Sequence, residues 1–260
     1  MVKHSFFSFS DESISEIETD PVDQQLSSNG TLLPKEVYKK CYSIMKKSRA
    51  FRNYTYEAIV EYLNEAEAFI PPEFLVHRFP YYLAGYDYED RPVWVGEVGK
   101  YKVDDLIDRF LDFFPIFETW GVQAAINVVK SFVAREKEWP GKDIRQFVIM
   151  IDFEGLDVQL ARKVLARPEL ILFGIKLTEL YLDLGDATLA KVILLNTNYA
   201  VQIFIQLARP VLGELIERVV VLGSNKYKWK AELRRHLPKE TTPTWYGGPE
   251  GFKPLVVYGG

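Results

Sequence analysis

The stretch from Lys191 to Gly223 constrains the fold more than any other. It reads Lys191-Val192-Ile193-Leu194-Leu195-Asn196, then a helix-like run from Asn198 to Ile216, then Arg218-Val219-Val220-Val221-Leu222-Gly223. The two ends are short, β-branched and bounded by turn residues, the pattern of buried strands. Strand, helical crossover and strand make a βαβ unit with a parallel pair. The crossover is unusual. On a helical wheel Gln202, Gln206 and Arg209 share one narrow stripe, and apolar side chains cover the rest. An ordinary surface helix has the opposite proportions. Pro210 removes a backbone donor and should kink or end the first segment. Two readings follow: a helix buried on most sides, or a lid with one apolar face over a cavity and another available to a membrane.

Further strands are expected at 92–99 and at 147–153, where Phe-Val-Ile-Met-Ile-Asp-Phe suits a central parallel strand covered on both faces. Helices are expected at 34–52, 55–70, 104–114 and 121–137, and over 157–184 in two pieces divided at Pro168. Thr55 is a suitable N-cap and Pro71-Pro72 a stop. The alternation of strands and helices argues an α/β fold. Three parts are expected: an acidic tail at 1–33, a helical segment at 34–71 and a main domain at 72–260. The tail has six acids against one lysine, a composition of mobile segments. Residues 34–52 reverse the charge, with seven basic residues against Glu36. That run reads either as a solvated helix face or as attraction to anionic phospholipid headgroups.

Composition excludes several functions. A net charge of −4 predicts no general attraction to nucleic acid. The single cysteine, Cys41, rules out an internal disulfide and any multi-cysteine metal site. The chain opens without a basic-then-apolar leader and has no run of 18 apolar residues, which predicts a soluble, cytoplasmic protein. Asp152-Phe-Glu-Gly155 matches a D-x-x-G, but no G-x-x-x-x-G-K-[ST] accompanies it, and no G-x-S-x-G elbow occurs. His4, His77 and His236 have no paired partner in sequence and read as surface histidines. Asp152 and Glu154 could be imagined as an acid pair, but Glu154 reads as the start of a loop. The expectation is a protein that is not an enzyme.

Several segments, in order and at a shared spacing, resemble the CRAL-TRIO lipid-binding domain. They are Pro71-Pro72-Glu73 with Phe79-Pro80, and Gly85-Tyr86-Asp87 through Arg91-Pro92-Val93-Trp94. Met150 to Leu156, Ile193 to Asn196, Arg209-Pro210-Val211-Leu212, Val221 to Asn225, Leu237-Pro238 and Tyr246-Gly247-Gly248 continue the match. Within the family the chain resembles the animal group that includes supernatant protein factor and the phosphatidylinositol-transfer-like members; a second Tyr-Gly-Gly, a feature of that animal group, stands at Tyr258–Gly260. Two departures stand out. Arg49 to Tyr54 is a degenerate echo of the family's arginine-rich upstream motif. Ala187 stands where phosphatidylinositol-binding members carry a Glu, so no strong preference for inositol lipids is expected.

The resemblance implies a mostly parallel sheet flooring an apolar cavity, helices packed around it, a mobile lid helix and a small N-terminal helical extension. It implies binding of one hydrophobic molecule (a phospholipid, retinoid, carotenoid, tocopherol or other isoprenoid) and its transfer between membranes, with no cofactor besides that ligand. The rival is a ligand-sensing module that signals to a protein partner and transfers nothing. The expected partners are the ligand and, transiently, a membrane surface that could be anionic. Candidates for the cavity wall are Phe113, Phe117, Trp120, Ile151, Phe153, Phe173, Leu177, Tyr181, Ile193, Leu195, Ile203, Phe204 and Leu207. By helical angle, Phe204, Leu207 and Val211 are expected on the cavity side of the lid. Val201, Ile205, Ala208 and Leu212 are expected on its membrane side.

Overall fold

The computed structural model describes residues 30–103 and 105–259; most of the acidic tail expected at 1–33 lies outside the described residues. Leu32–Gly260 forms one compact unit. Its centre is a six-stranded sheet in the order β5-β4-β3-β2-β1-β6, with β1 Tyr81–Tyr86, β2 Pro92–Gly96, β3 Phe147–Asp152, β4 Leu189–Leu195, β5 Val219–Val221 and β6 Val256–Tyr258. The pairs β2–β3, β3–β4 and β4–β5 are parallel, whereas β1 runs antiparallel to both β2 and β6. This is the expected α/β architecture with a mostly parallel sheet.

Two strands, β1 and β6, add to those read from the sequence. Gly85 in β1 has φ of +153°, and a Cβ there would stand 2.8 Å from Thr241 Oγ1. Thr241 uses that proximity to donate its hydroxyl to the Tyr86 carbonyl at 2.8 Å. The register of β1 shifts between Leu83 and Gly85, which breaks the period-2 pattern that would announce a strand. β6 is only three residues long, below the length at which alternation is informative.

The helices are α1 Lys35–Met45, α2 Tyr56–Ala68, α3 Glu73–Arg78, α4 Phe110–Glu138, α5 Val158–Leu165, α6 Pro168–Thr188, α7 Tyr199–Leu212 and α8 Lys226–His236. The expected pair at 104–114 and 121–137 is corrected to the single helix α4, which runs through Pro115 and Gly121. Pro115 falls early in α4, so one carbonyl, that of Leu111, goes without an intrahelical donor. Pro168 opens α6 in the first turn, where its missing N–H costs nothing. Thr55 caps α2 by accepting from the Ala58 amide at 3.2 Å. α1 and α2 pack against α4. Of the 34–52 run, Lys40 of α1 pairs with Glu136 of α4 and with Asp143, and Arg49, beyond α1, pairs with Asp183 of α6.

Side chains alternate across the sheet. On one face Val93, Val95, Val148, Met150, Ile193 and Leu195 pack against Trp229 and Leu233 of α8, Leu237 just beyond it, and Tyr246. This layer is closed, and most of its members are under 2% exposed. The opposite face is not closed in the same way. Ile149, Ile151 and Val192 stay half-buried although they lie on interior strands, and no residue of the 21-residue helix α6 is fully buried.

Candidate functional site

A cavity of about 530 Å³ opens on that second face. Its floor is Leu189, Val192 and Leu194 of β4 with Val219 of β5. The parallel register makes the floor continuous, because Val192 pairs with Val219 and with Ile149. One wall is Phe153, Leu156, Leu160 and Val164, the last three spaced by four from the turn before α5 into the helix. The roof is α7 through Val201, Phe204, Ile205, Ala208 and Leu212, and the 3-10 segment Gly213–Arg218 closes the end with Leu215 and Ile216. Every lining side chain is apolar, so the lining offers no general acid, base, nucleophile or metal ligand. Among the described residues no group of acids, histidines and cysteine could hold a metal ion.

Polar contacts outside the cavity fix both ends of α7. At the amino end, Asn198 is the N-cap and accepts from the Val201 amide at 3.1 Å. Its amide nitrogen donates to the Leu156 carbonyl at 3.2 Å, tying the roof to the α5 wall. The preceding Asn196 takes φ of +53°, a conformation that Asn tolerates better than most residues. Its side chain donates to Asp152 Oδ1 at 2.8 Å. Asp152, buried at the end of β3, also accepts from the Glu154 amide at 2.9 Å and from the Tyr246 hydroxyl at 2.5 Å. Burial, reinforced by the bond to Asp152, pushes the Tyr246 hydroxyl far above the usual phenol range. Asp152 therefore serves as a structural clasp joining β3, the β4–α7 turn and the C-terminal segment. At the carboxyl end α7 runs through Pro210 and stops at Gly213, whose φ of +53° with ψ of −126° is open to glycine alone. Arg218 then donates to the carbonyls of Asp186 and Leu189 at 2.8 and 2.6 Å and pairs with the Asp186 carboxyl group at 2.7 Å. Ala187 stands next to Asp186 in the last turn of α6.

The residues named from sequence distribute unevenly around this geometry. Phe153 and Phe204 line the cavity. Ile151 is on the cavity side of the sheet, half-buried beside Leu194, its register partner. Ile193 and Leu195 are placed differently from expectation: both are 0% exposed in the closed layer under α8. Met150 is the partner of Ile193, so Ile151 and Ile193 cannot share a face. Phe113, Phe117 and Trp120 pack with Phe74, Leu75, Phe79 and Leu106 in a separate aromatic cluster under α3. Phe173 bridges α6 to Phe110 and Phe114 of α4. Leu177 is half-buried on α6. Tyr181 donates to Glu118 of α4 at 3.3 Å, and burial raises the Glu118 carboxyl above the usual range.

Phe204 faces the cavity as expected, but the flank expected on the membrane side of α7 faces inward too. Val201, Ile205, Ala208 and Leu212 face the cavity together with Phe204, whereas Leu207 is 43% exposed and Ile203 is half-buried outside the lining. The flank turned inward, Val201, Ile205, Ala208 and Leu212, lies beside the exposed Gln202, Gln206 and Arg209 stripe on the helix rather than opposite it. Leu156, Leu160, Val164, Leu189, Val192, Leu194, Leu215, Ile216 and Val219 were not named from sequence. The 156-160-164 spacing and the alternation of Val192 and Leu194 with Ile193 are the signals that identify five of these wall positions by periodicity.

A family model described as CRAL/TRIO domain matches residues 77–248. A solved structure titled "Crystal structure of Sfh5" is similar over 85% of this chain and 75% of that one, at 13% identity and a TM-score of 0.49. The family match runs from α3 to the Tyr246–Gly248 turn, and takes in all six strands but β6 together with both ends of α7. The chain belongs to the CRAL/TRIO domain family.

Proposed function

We propose that this chain holds one hydrophobic molecule in the cavity beneath α7 and carries it between membranes without catalysis. The observation that supports this reading is the wholly apolar lining of a cavity of about 530 Å³, within the size range of small-molecule sites. The driving force is desolvation. Hiding roughly 300 Å² of ligand surface at ~25 cal/mol per Å² gives about 7 kcal/mol before the entropy of association is subtracted. The lining has no polar group to grip a headgroup, so the ligand is an acyl chain, retinoid, carotenoid, tocopherol or other isoprenoid recognised by shape. With Ala187 in place of an acid, phosphatidylinositol gains no special advantage; competition binding in which it displaced every other lipid would contradict this.

In this reading α7 is the lid. Its carboxyl end joins the sheet through Gly213, and its amino end turns on Asn196, so opening requires dihedral change at two short hinges. Transfer of a fluorescent isoprenoid or lipid from donor to acceptor vesicles tests the proposal. Transfer that rises in proportion to protein concentration is expected. Tight ligand binding with no transfer would favour a ligand-sensing module, and no binding of any apolar ligand would end both readings.

A further inference from the structure

The face of the molecule opposite the cavity carries a charge pattern that ligand binding does not use. Residues 226–240 hold six basic residues against two acids, in a chain whose net charge is −4. α8 buries Trp229 and Leu233 against the closed face of the sheet, with Leu237 following at its end, which turns Tyr227, Lys228, Arg234 and Arg235 outward. Glu232 holds Arg235 at 2.9 Å and lies 3.1 Å from His236, so the outward charge of α8 that it does not neutralise rests on Lys228 and Arg234. Lys226 makes only an exposed pair with Glu154 at 3.3 Å, the kind that contributes little.

A basic run alone is most simply a solvated helix face. Three exposed aromatic side chains around α8 argue against that here. Tyr227 at its amino end is 90% exposed. Trp245, beside the Tyr246 ring that packs on Trp229, is 52% exposed. Tyr88, whose hydroxyl donates to the Arg234 carbonyl at 3.1 Å, is 63% exposed. Exposed tyrosine and tryptophan flanking clustered lysine and arginine is the composition of a surface that meets lipid headgroups: the cations are drawn to anionic phosphates, and the amphipathic rings lodge at headgroup depth. An acidic protein would satisfy the charges but gives no reason for three rings to stand in water.

We infer that the outer face of α8, with Tyr88, Tyr227 and Trp245, docks on anionic phospholipid membranes. This rests on the reading that the protein works at membranes. The surface lies on the far side of the sheet from α7, so it would hold the carrier at a membrane by contacts separate from those that open the cavity.

The test is flotation of the full chain with phosphatidylcholine vesicles and with vesicles of phosphatidylcholine mixed with phosphatidylserine. The wild-type protein should bind the mixed vesicles more tightly, and added salt should weaken that binding. The double variant Lys228→Gln, Arg234→Gln should lose about thirtyfold in affinity for mixed vesicles, as expected for two cations removed from an anionic surface. Its binding to pure phosphatidylcholine and its uptake of a fluorescent isoprenoid should stay unchanged. Tyr227→Ala should weaken binding to both vesicle types, with no change in thermal unfolding. Equal wild-type binding to the two vesicle types, or unaltered binding of the double variant, overturns the inference. Loss of isoprenoid uptake by the wild-type protein would instead overturn the ligand-carrier reading.

Discussion

The Tyr246 hydroxyl donates to Asp152 Oδ2 at 2.5 Å, and both side chains are buried. Asp152 is also the acceptor for Asn196, the residue on which the chain turns from β4 into α7. The lid's amino hinge is thereby tied to a tyrosine 50 positions further along the chain. Tyr246→Phe removes one of three donors to this carboxyl group. The loss should cost about 1–3 kcal/mol, the penalty of leaving a buried acceptor short of a partner. Thermal unfolding should fall by roughly 2–12 °C for a domain of this size. An unchanged unfolding temperature would show that the clasp is dispensable.

A second expectation concerns alkaline pH. Burial is the leading cause that raises Tyr62, Tyr82, Tyr181 and Tyr246, and it lifts Tyr81 and Tyr101 to about 12. In the unfolded chain a tyrosine ionises near about pH 10. A group whose folded value is raised contributes stability that is complete below the unfolded value and is lost as pH climbs toward the folded one. Unfolding temperature should therefore hold steady up to about pH 10 and drop steeply above it. Unfolding midpoints that stay flat through pH 12 would contradict these tyrosine environments.

Filling the cavity should separate binding from folding. Ala208 lines the roof, so Ala208→Trp projects an indole into the space. Ligand uptake should fall at least tenfold while circular dichroism remains that of the parent. Overpacking of a closed core would instead destabilise by about 1–3 kcal/mol. A variant that binds as well as the parent would mean the ligand lies elsewhere.

The two sides of α7 make a paired test. Ile205 faces the cavity and Leu207 is exposed. Ile205→Asp buries a carboxylate in an apolar space and should release a pre-loaded ligand. Leu207→Asp should leave the ligand in place and slow vesicle transfer about tenfold, since inserting a leucine into an acyl environment is worth ~1.5–3 kcal/mol. If the two variants exchange phenotypes, the rotation of α7 described here is wrong.

The contrast between fold and site reflects which physical patterns are local. The βαβ unit at 191–223 was legible because short β-branched runs bounded by turns have few alternatives. The cavity was legible as an excess of apolar surface but not as a set of side chains. Ile151 and Ile193 both look like floor residues until the β3–β4 register pairs Ile151 with Leu194. Register depends on how two distant segments meet, and a one-residue slip exchanges the faces. Likewise, the α4 aromatics Phe113, Phe117 and Trp120 advertise a cavity, yet they are claimed by Phe74 and Phe79 of the α3 region. The helical wheel of α7 located a polar stripe correctly, but the inward direction was fixed by Leu156, Leu160 and Val192, residues on other elements. β1 and β6 escaped notice because Gly85 and a three-residue length hide their alternation.

The proposed function requires the apolar cavity to hold one molecule. Native mass spectrometry of the full chain after mixing with a lipid extract tests it most directly. A single added mass per chain is expected, released as an apolar compound on denaturation and absent from Ala208→Trp. A protein that stays at its bare mass under the same conditions, or an adduct retained in full by Ala208→Trp, would contradict it.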